Sequence, residues 1–248
     1  MGFYQKIIIN MLVLPESNMQ KAKNTKNRIW ELDFLRGIAL ILMIYFHIIY
    51  DLNELYNVNV SYSSGINYFI GKFSAILFML LSGISSWFSK SNVKRGLKVA
   101  GIAIILTIIT HLYDPAFGIK FGILHLLGTC MLLSSLLIKL NKNLLILLGS
   151  SVILLDRLIS GINPSTNIFF PFGVYNSSFS SSDYYPLIPW MGIFIYGLAL
   201  GKMLYANKQS LLPFTPKDNI INIAGRHTLT VYLAHQPVIM AVLYLINL

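Results

Sequence analysis

Residues 31–52 read ELDFLRGIALILMIYFHIIYDL. The run is long and apolar enough to cross a bilayer core as a helix. Four residues in or beside it do not fit that setting: Arg36, Gly37, His47 and Asp51. Polar groups are costly in hydrocarbon, so these side chains should face a protein interior or a water-filled cavity. His47 and Asp51 are four residues apart and share one helical face. Arg36 falls close to that face, about 16 Å towards the other end of the helix. One stripe thus joins a cationic end to a histidine–carboxylate pair. A carboxylate beside a histidine favours the imidazolium and can orient the ring. Both effects suit a general base, although a structural hydrogen-bonding role for His47 is also open.

The rest of the chain has the same character. Of its 248 residues 55% are hydrophobic and only 11% charged, against roughly 25% charged in a soluble domain. Mean hydropathy is +0.65. Such a chain implies an all-α integral membrane protein, a polytopic helix bundle with lipid as its outer solvent. Seven spans can be drawn, at 32–50, 66–88, 96–113, 121–139, 143–159, 187–205 and 226–246. If they alternate, Lys21, Lys23, Lys26 and Arg28 share a side with Lys90, Lys94, Arg95, Lys98, Lys139, Lys142, Lys202, Lys208, Lys217 and Arg226. Lys72, Lys120 and Arg157 fall on the opposite side. The positive-inside rule then predicts a cytoplasmic N-terminus. The net charge of +10 reads as a topology signal spread over short loops, with no need for nucleic acid. The chain divides into an N-terminal arm over 1–30, cytoplasmic or interfacial, and one membrane domain over 31–248. Its longest external loop, 160–186, carries five phenylalanines or tyrosines between Phe169 and Phe179. That loop either folds back over an external cavity or forms an aromatic belt at the headgroups.

Other ionisable residues gather at the external level. His111 and Asp114 end the third span, Lys120 begins the fourth, and His125 lies further in. Asp183 precedes the sixth span beside Tyr184 and Tyr185, and His235 with Gln236 lies within the last span, before Pro237. Each is a candidate substrate contact, and each has a plainer reading: Asp183 as a cap for the sixth span, Lys120 as a snorkelling cation. The lone Cys130 reads as a packing residue. No metal site is predicted from the histidine spacing, and no P-loop, dinucleotide fingerprint or serine elbow occurs. Gly197 and Gly201 form a small-xxx-small pair for close helix contact.

Four segments carry a family likeness: Glu31–Asp51 with LRGIALILM at its centre, FGILHLLG (121–128), DYYPLIPWMGIFIYGLALG (183–201) and GRHTLTVYLAHQP (225–237). In that order they resemble the heparan-alpha-glucosaminide N-acetyltransferase catalytic domain family, in particular its small bacterial members, within the broader transmembrane acyltransferases. The resemblance implies a multi-pass protein of the bacterial cytoplasmic membrane. It implies transfer of an acetyl or short acyl group from acyl-CoA, with acetyl-CoA as donor, to an amino sugar or cell-envelope glycan. A homodimer is plausible on the same ground. In the lysosomal relatives the position matching His47 looks like an active-site asparagine, and a catalytic histidine follows in the next loop. Here that loop reads DLNELYNVNVSYSSG, without a histidine, which makes His47 the better candidate for the base.

On this reading the CoA phosphates would pair with Arg36, Lys94, Arg95 and Arg226 at the cytoplasmic face. His47, oriented by Asp51, would take a proton from the attacking amine or hydroxyl. Direct transfer is preferred over an acyl-histidine because no second histidine is visibly paired with His47. The alternative is a transporter or flippase for a small or lipid-linked substrate. Its polar groups would line a route and break no bond.

Overall fold

The structure, a computed structural model, describes residues 29–246 apart from 215, 217 and 218. Most of the expected N-terminal arm, with Lys21, Lys23, Lys26 and Arg28, lies outside the described residues, as does Lys217. Eight α-helices follow in order among those described: α1 Trp30–Glu54, α2 Gly65–Phe88, α3 Asn92–Tyr113, α4 Ile123–Leu137, α5 Lys142–Ile159, α6 Leu187–Leu204, α7 Ile220–Arg226 and α8 Thr228–Leu245.

Five of these, α1, α2, α3, α6 and α8, are long and apolar enough to cross a membrane. The expected count of seven is therefore met only in part. Helix α4 has 15 residues, about 22 Å of rise, because its first turn is held back by the loop described below. Helix α5 has 18 residues but carries Lys142, Asp156 and Arg157. The short α7 was not expected. Asn219 starts it by accepting the amide of Asn222 at 2.9 Å, and it packs against α1.

Helix α4 is the centre of the bundle, with Leu126 and Cys130 fully buried in a core shared with Ala39, Leu40, Met79 and Phe194. Helix α3 lies on α4, α6 is held between α2 and α5, and α1 packs on α2, α7 and α8. Lipid offers no hydrophobic drive between helices, so close backbone approach must supply the contact. Glycines face each other at four crossings. Gly83 of α2 meets Gly197 of α6, and Gly96 of α3 meets Gly128 of α4. Gly149 of α5 meets Gly192 of α6, and Gly37 of α1 meets Gly225 of α7. The outer face of α3, with Ile104, Ile105, Ile108, Ile109 and Leu112, is exposed, the surface that a lipid neighbour would cover.

Candidate active site

A cavity of about 790 Å³ runs between α1, α2, α3, α4 and α8, within the usual size of a small-molecule site. Its walls follow from helical periodicity. On α2 the lining positions are Tyr68, Gly71, Lys72, Ser74, Ala75, Phe78, Leu81, Ser82 and Ser85, a stripe that recurs every three to four residues along one face. On α1 they are Arg36, Met43, Phe46, His47 and Tyr50.

One end is basic. Arg36, Arg95, Lys98 and Arg226 all line it. Arg36 and Arg95 converge on Ser85: the Arg36 guanidinium donates to its hydroxyl, and Arg95 donates to its carbonyl at 3.4 Å. Arg36 is also ion-paired with Asp33 one turn back, which fixes the guanidinium at the cavity wall. Lys94, the fourth expected cation, is exposed on α3 and is absent from this wall, which has Lys98 instead.

His47 lies in the wall about 16 Å from Arg36 along α1. Its neighbour differs from the expected one. The Asp51 carboxylate, 1% exposed, accepts both bonds of the Gln236 amide at 3.0 and 2.8 Å. The carboxylate turns to α8 and does not line the cavity, so Asp51 ties α1 to α8, and no hydrogen bond from it to His47 is seen among the described residues. The ring beside His47 is that of His235, with centroids 4.7 Å apart. The second histidine that the sequence hid therefore comes from the last helix. His235 Nδ1 is bonded to the carbonyl of Tyr232. A carbonyl can only accept, so Nδ1 carries a proton, and in the neutral ring Nε2 is then the acceptor. Nε2 is buried with no hydrogen-bond partner among the described residues.

The other end is aromatic and hydroxylated, with Tyr62, Ser63, Tyr68, Lys72, Asp183, Tyr184 and Tyr185. The segment before α6 contributes Ser182, Asp183, Tyr184 and Tyr185 to this wall. Tyr185 donates its amide to the Phe121 carbonyl at 2.9 Å, Ser181 accepts the Lys120 amide at 3.0 Å, and Asp183 accepts the Ile123 amide at 3.0 Å. Asp183 thus caps α4, whereas the plainer sequence reading had it capping the sixth span. The Tyr184 hydroxyl donates to the Phe170 carbonyl at 2.6 Å, and its ring packs on Phe179 and Tyr175. Of the two readings of the loop, this matches the one in which it folds back over a cavity.

Five expected substrate contacts do not line the main cavity: His235 and Gln236, which meet α1 as described, and His111, His125 and Lys120. His111 Nδ1 bonds the Thr107 carbonyl at 2.9 Å. The His125 ring stacks on Phe121, accepts the Gly122 amide at Nδ1 at 3.2 Å and so donates from Nε2 to the Thr107 hydroxyl at 3.1 Å, beside a void of about 10 Å³. The Lys120 ammonium lies 5.1 Å over the Phe179 ring. Lys72, Lys98, Ser85 and Tyr232 line the cavity and were not singled out. The signal for Lys72 and Ser85 was their place in the α2 stripe. Among the described residues no group of three or more His, Cys, Asp or Glu side chains stands close enough to hold a metal ion.

Desolvation in the cavity wall pushes the Asp183 carboxyl up to about 6, partly countered by the Ile123 amide. A folded-state pKa raised above the unfolded value favours the fold when the group is protonated. Its contribution is complete below about pH 4 and is lost as pH rises through about 6. Thermal melting should therefore drop by several degrees between pH 5 and pH 7.5. Asp183→Asn should flatten that slope, because the amide oxygen still accepts from Ile123. A variant slope equal to that of the parent would show that Asp183 does not titrate in this window.

The model of the family described as heparan-alpha-glucosaminide N-acetyltransferase, catalytic, matches residues 28–237. No curated protein matches the chain, and no solved structure does.

Proposed function

This chain belongs to the heparan-alpha-glucosaminide N-acetyltransferase catalytic family, and we propose that it moves an acetyl group from acetyl-CoA, through the membrane, to an amino sugar or cell-envelope glycan. The observation that carries this reading is one cavity joining four cations at one end to His47 near the other. The proposed setting is the bacterial cytoplasmic membrane. Seven helices would cross it, α4 and α5 included, with the N-terminus and the basic end of the cavity in the cytoplasm.

The 3′-phosphate and diphosphate of CoA would bind Arg36, Arg95, Lys98 and Arg226, where guanidinium groups pair with phosphate oxygens. The uncharged pantetheine arm would follow the small and hydroxylated side chains Ser85, Ser82 and Ala75 on α2. That path delivers the thioester to the level of His47. The acceptor would enter from the aromatic end. As its nitrogen or hydroxyl oxygen attacks the thioester carbon, neutral His47 takes the proton, the C–S bond breaks, and the CoA thiolate takes that proton back from the His47 imidazolium and leaves as the thiol. Tyr50, in the wall one turn beyond His47, supplies a donor near the developing oxyanion. The His235 ring, 4.7 Å from that of His47, borders the imidazolium during this exchange. The His235 ring beside His47 removes the ground for preferring direct transfer over an acyl-histidine, and both courses fit the site.

The purified protein, in lipid nanodiscs with radiolabelled acetyl-CoA and glucosamine, is expected to yield N-acetylated product. Absence of transfer to any amino sugar or glycan, with glycan uptake into sealed proteoliposomes, would overturn the reading in favour of transport. Arg95→Gln is expected to weaken acetyl-CoA binding by about tenfold through loss of one charge-assisted pair. Calorimetry with CoA measures it. An unchanged Kd would remove Arg95 from the donor site.

A further inference from the structure

Lys72 presents an unsolved charge balance at the acceptor end of the cavity. Its ammonium lies 4.8 Å over the Trp190 ring and 5.6 Å over the Tyr68 ring, and the residue lines the cavity. Each carboxylate at this end already has a donor. Asp51 takes the Gln236 amide, Asp183 takes the Ile123 amide, and Glu54 takes the Tyr62 hydroxyl at 2.8 Å. Among the described residues no ion pair is made by Lys72; the pair of Arg36 with Asp33 is at the other end. Aromatic faces attract an ammonium but do not neutralise it. A half-buried ammonium that faces a cavity with no carboxylate partner among the described residues is placed to pair with an anion entering that cavity.

The level is the right one for a substrate. A Cβ on Gly71 would strike the Phe46 ring, so α1 and α2 touch at that point. Lys72 and His47 are the next residues along each chain. The hydroxyls and rings of Tyr68, Tyr184 and Tyr185 complete a chamber whose faces suit the apolar side of a sugar ring.

We propose that Lys72 forms an anion subsite, and that the natural acceptor is an amino sugar or glycan unit bearing a carboxylate or phosphate ester close to the group that is acylated. The Lys72 ammonium pairs with that anion, and the Trp190 and Tyr68 rings hold the ammonium in position. This rests on the acyl-transfer reading for what happens next, but not for the binding itself.

Two measurements separate the claims. Calorimetry on the full-length protein in nanodiscs, without acetyl-CoA, compares glucosamine with glucosamine 6-phosphate and with glucosaminuronic acid. At least one anionic sugar is expected to bind about tenfold or more tightly than the neutral one. Phosphate over carboxylate, or the reverse, identifies which anion the subsite takes. Lys72→Gln should bring the ratio to about one, and Lys72→Arg should keep most of it. The second measurement is the same comparison by kcat/KM for acetyl transfer. Charge-selective, Lys72-dependent binding without any transfer keeps the subsite and removes the acyl-transfer reading. Transfer that ignores acceptor charge, or a preference that survives in Lys72→Gln, overturns the subsite. A normal melting profile for Lys72→Gln excludes misfolding, and Lys72→Arg tests the charge should the glutamine variant fail to fold.

Discussion

His47→Ala is expected to lower kcat for acetyl transfer by roughly 10²- to 10⁴-fold, the range that a positioned general base contributes. The KM for acetyl-CoA should stay within about threefold, because the phosphates bind about 16 Å away at the Arg36 end. This split between kcat and KM is the signature of a group acting at the reacting atoms. A merely structural His47 would lower stability and change both constants together. The test is steady-state kinetics on the purified variant, with melting temperature as control. A kcat within about threefold of the parent removes His47 as the base. His235 then becomes the group to examine, since its ring lies 4.7 Å from that of His47 and its Nε2 is buried without a partner among the described residues.

Gly83→Leu is expected to abolish folding of the bundle. A Cβ at Gly83 would strike the Phe194 carbonyl, the Leu198 amide and the Gly197 Cα, all backbone atoms of α6. Gly197 makes the reciprocal contact with the Leu80 carbonyl. Backbone cannot turn aside as a side-chain rotamer can, so α2 and α6 must separate along their crossing. Overpacking of flexible side chains already costs about 1–3 kcal/mol, and this site exceeds that range. The variant should fail to give a monodisperse peak on size exclusion. Gly101→Leu is the control, because nothing lies within 4 Å of a Cβ there, and it should express as the parent does. If Gly83→Leu were also monodisperse and active, the α2–α6 crossing would not be the tight contact described.

Much of the bundle was legible because lipid demands long apolar runs. The spans at 66–88 and 187–205 correspond to Gly65–Phe88 and Leu187–Leu204. Within the site, residues that share a helix could be related by periodicity alone. That is how Arg36 and His47 were placed on one stripe, and both line the cavity. Pairings between helices were not legible. Nothing local indicates that Asp51 meets Gln236 or that His47 meets His235, because those contacts depend on how α1 and α8 cross. The four-residue rule put Asp51 on the His47 face, and a better donor on another helix then captured it. Lys72 was read as a topology charge because a single lysine on the external side carries that meaning first. Asp183 precedes α6 in sequence yet caps α4, since the loop folds back through the Phe121–Tyr184 bridge. Helix α7 escaped notice because seven residues make less than two full turns, too few for a periodic signal.

The central claim is that acetyl-CoA lies along the cavity, phosphates at the arginines and thioester at His47. A cryo-EM structure with a non-hydrolysable acetyl-CoA analogue tests it most directly. The account predicts phosphate density against Arg36, Arg95 and Arg226, the arm along the Ser85–Ala75 face of α2, and the carbonyl analogue within reach of the His47 ring. An analogue bound on the outer surface, or bound in the cavity with its thioester end turned away from His47, would contradict it.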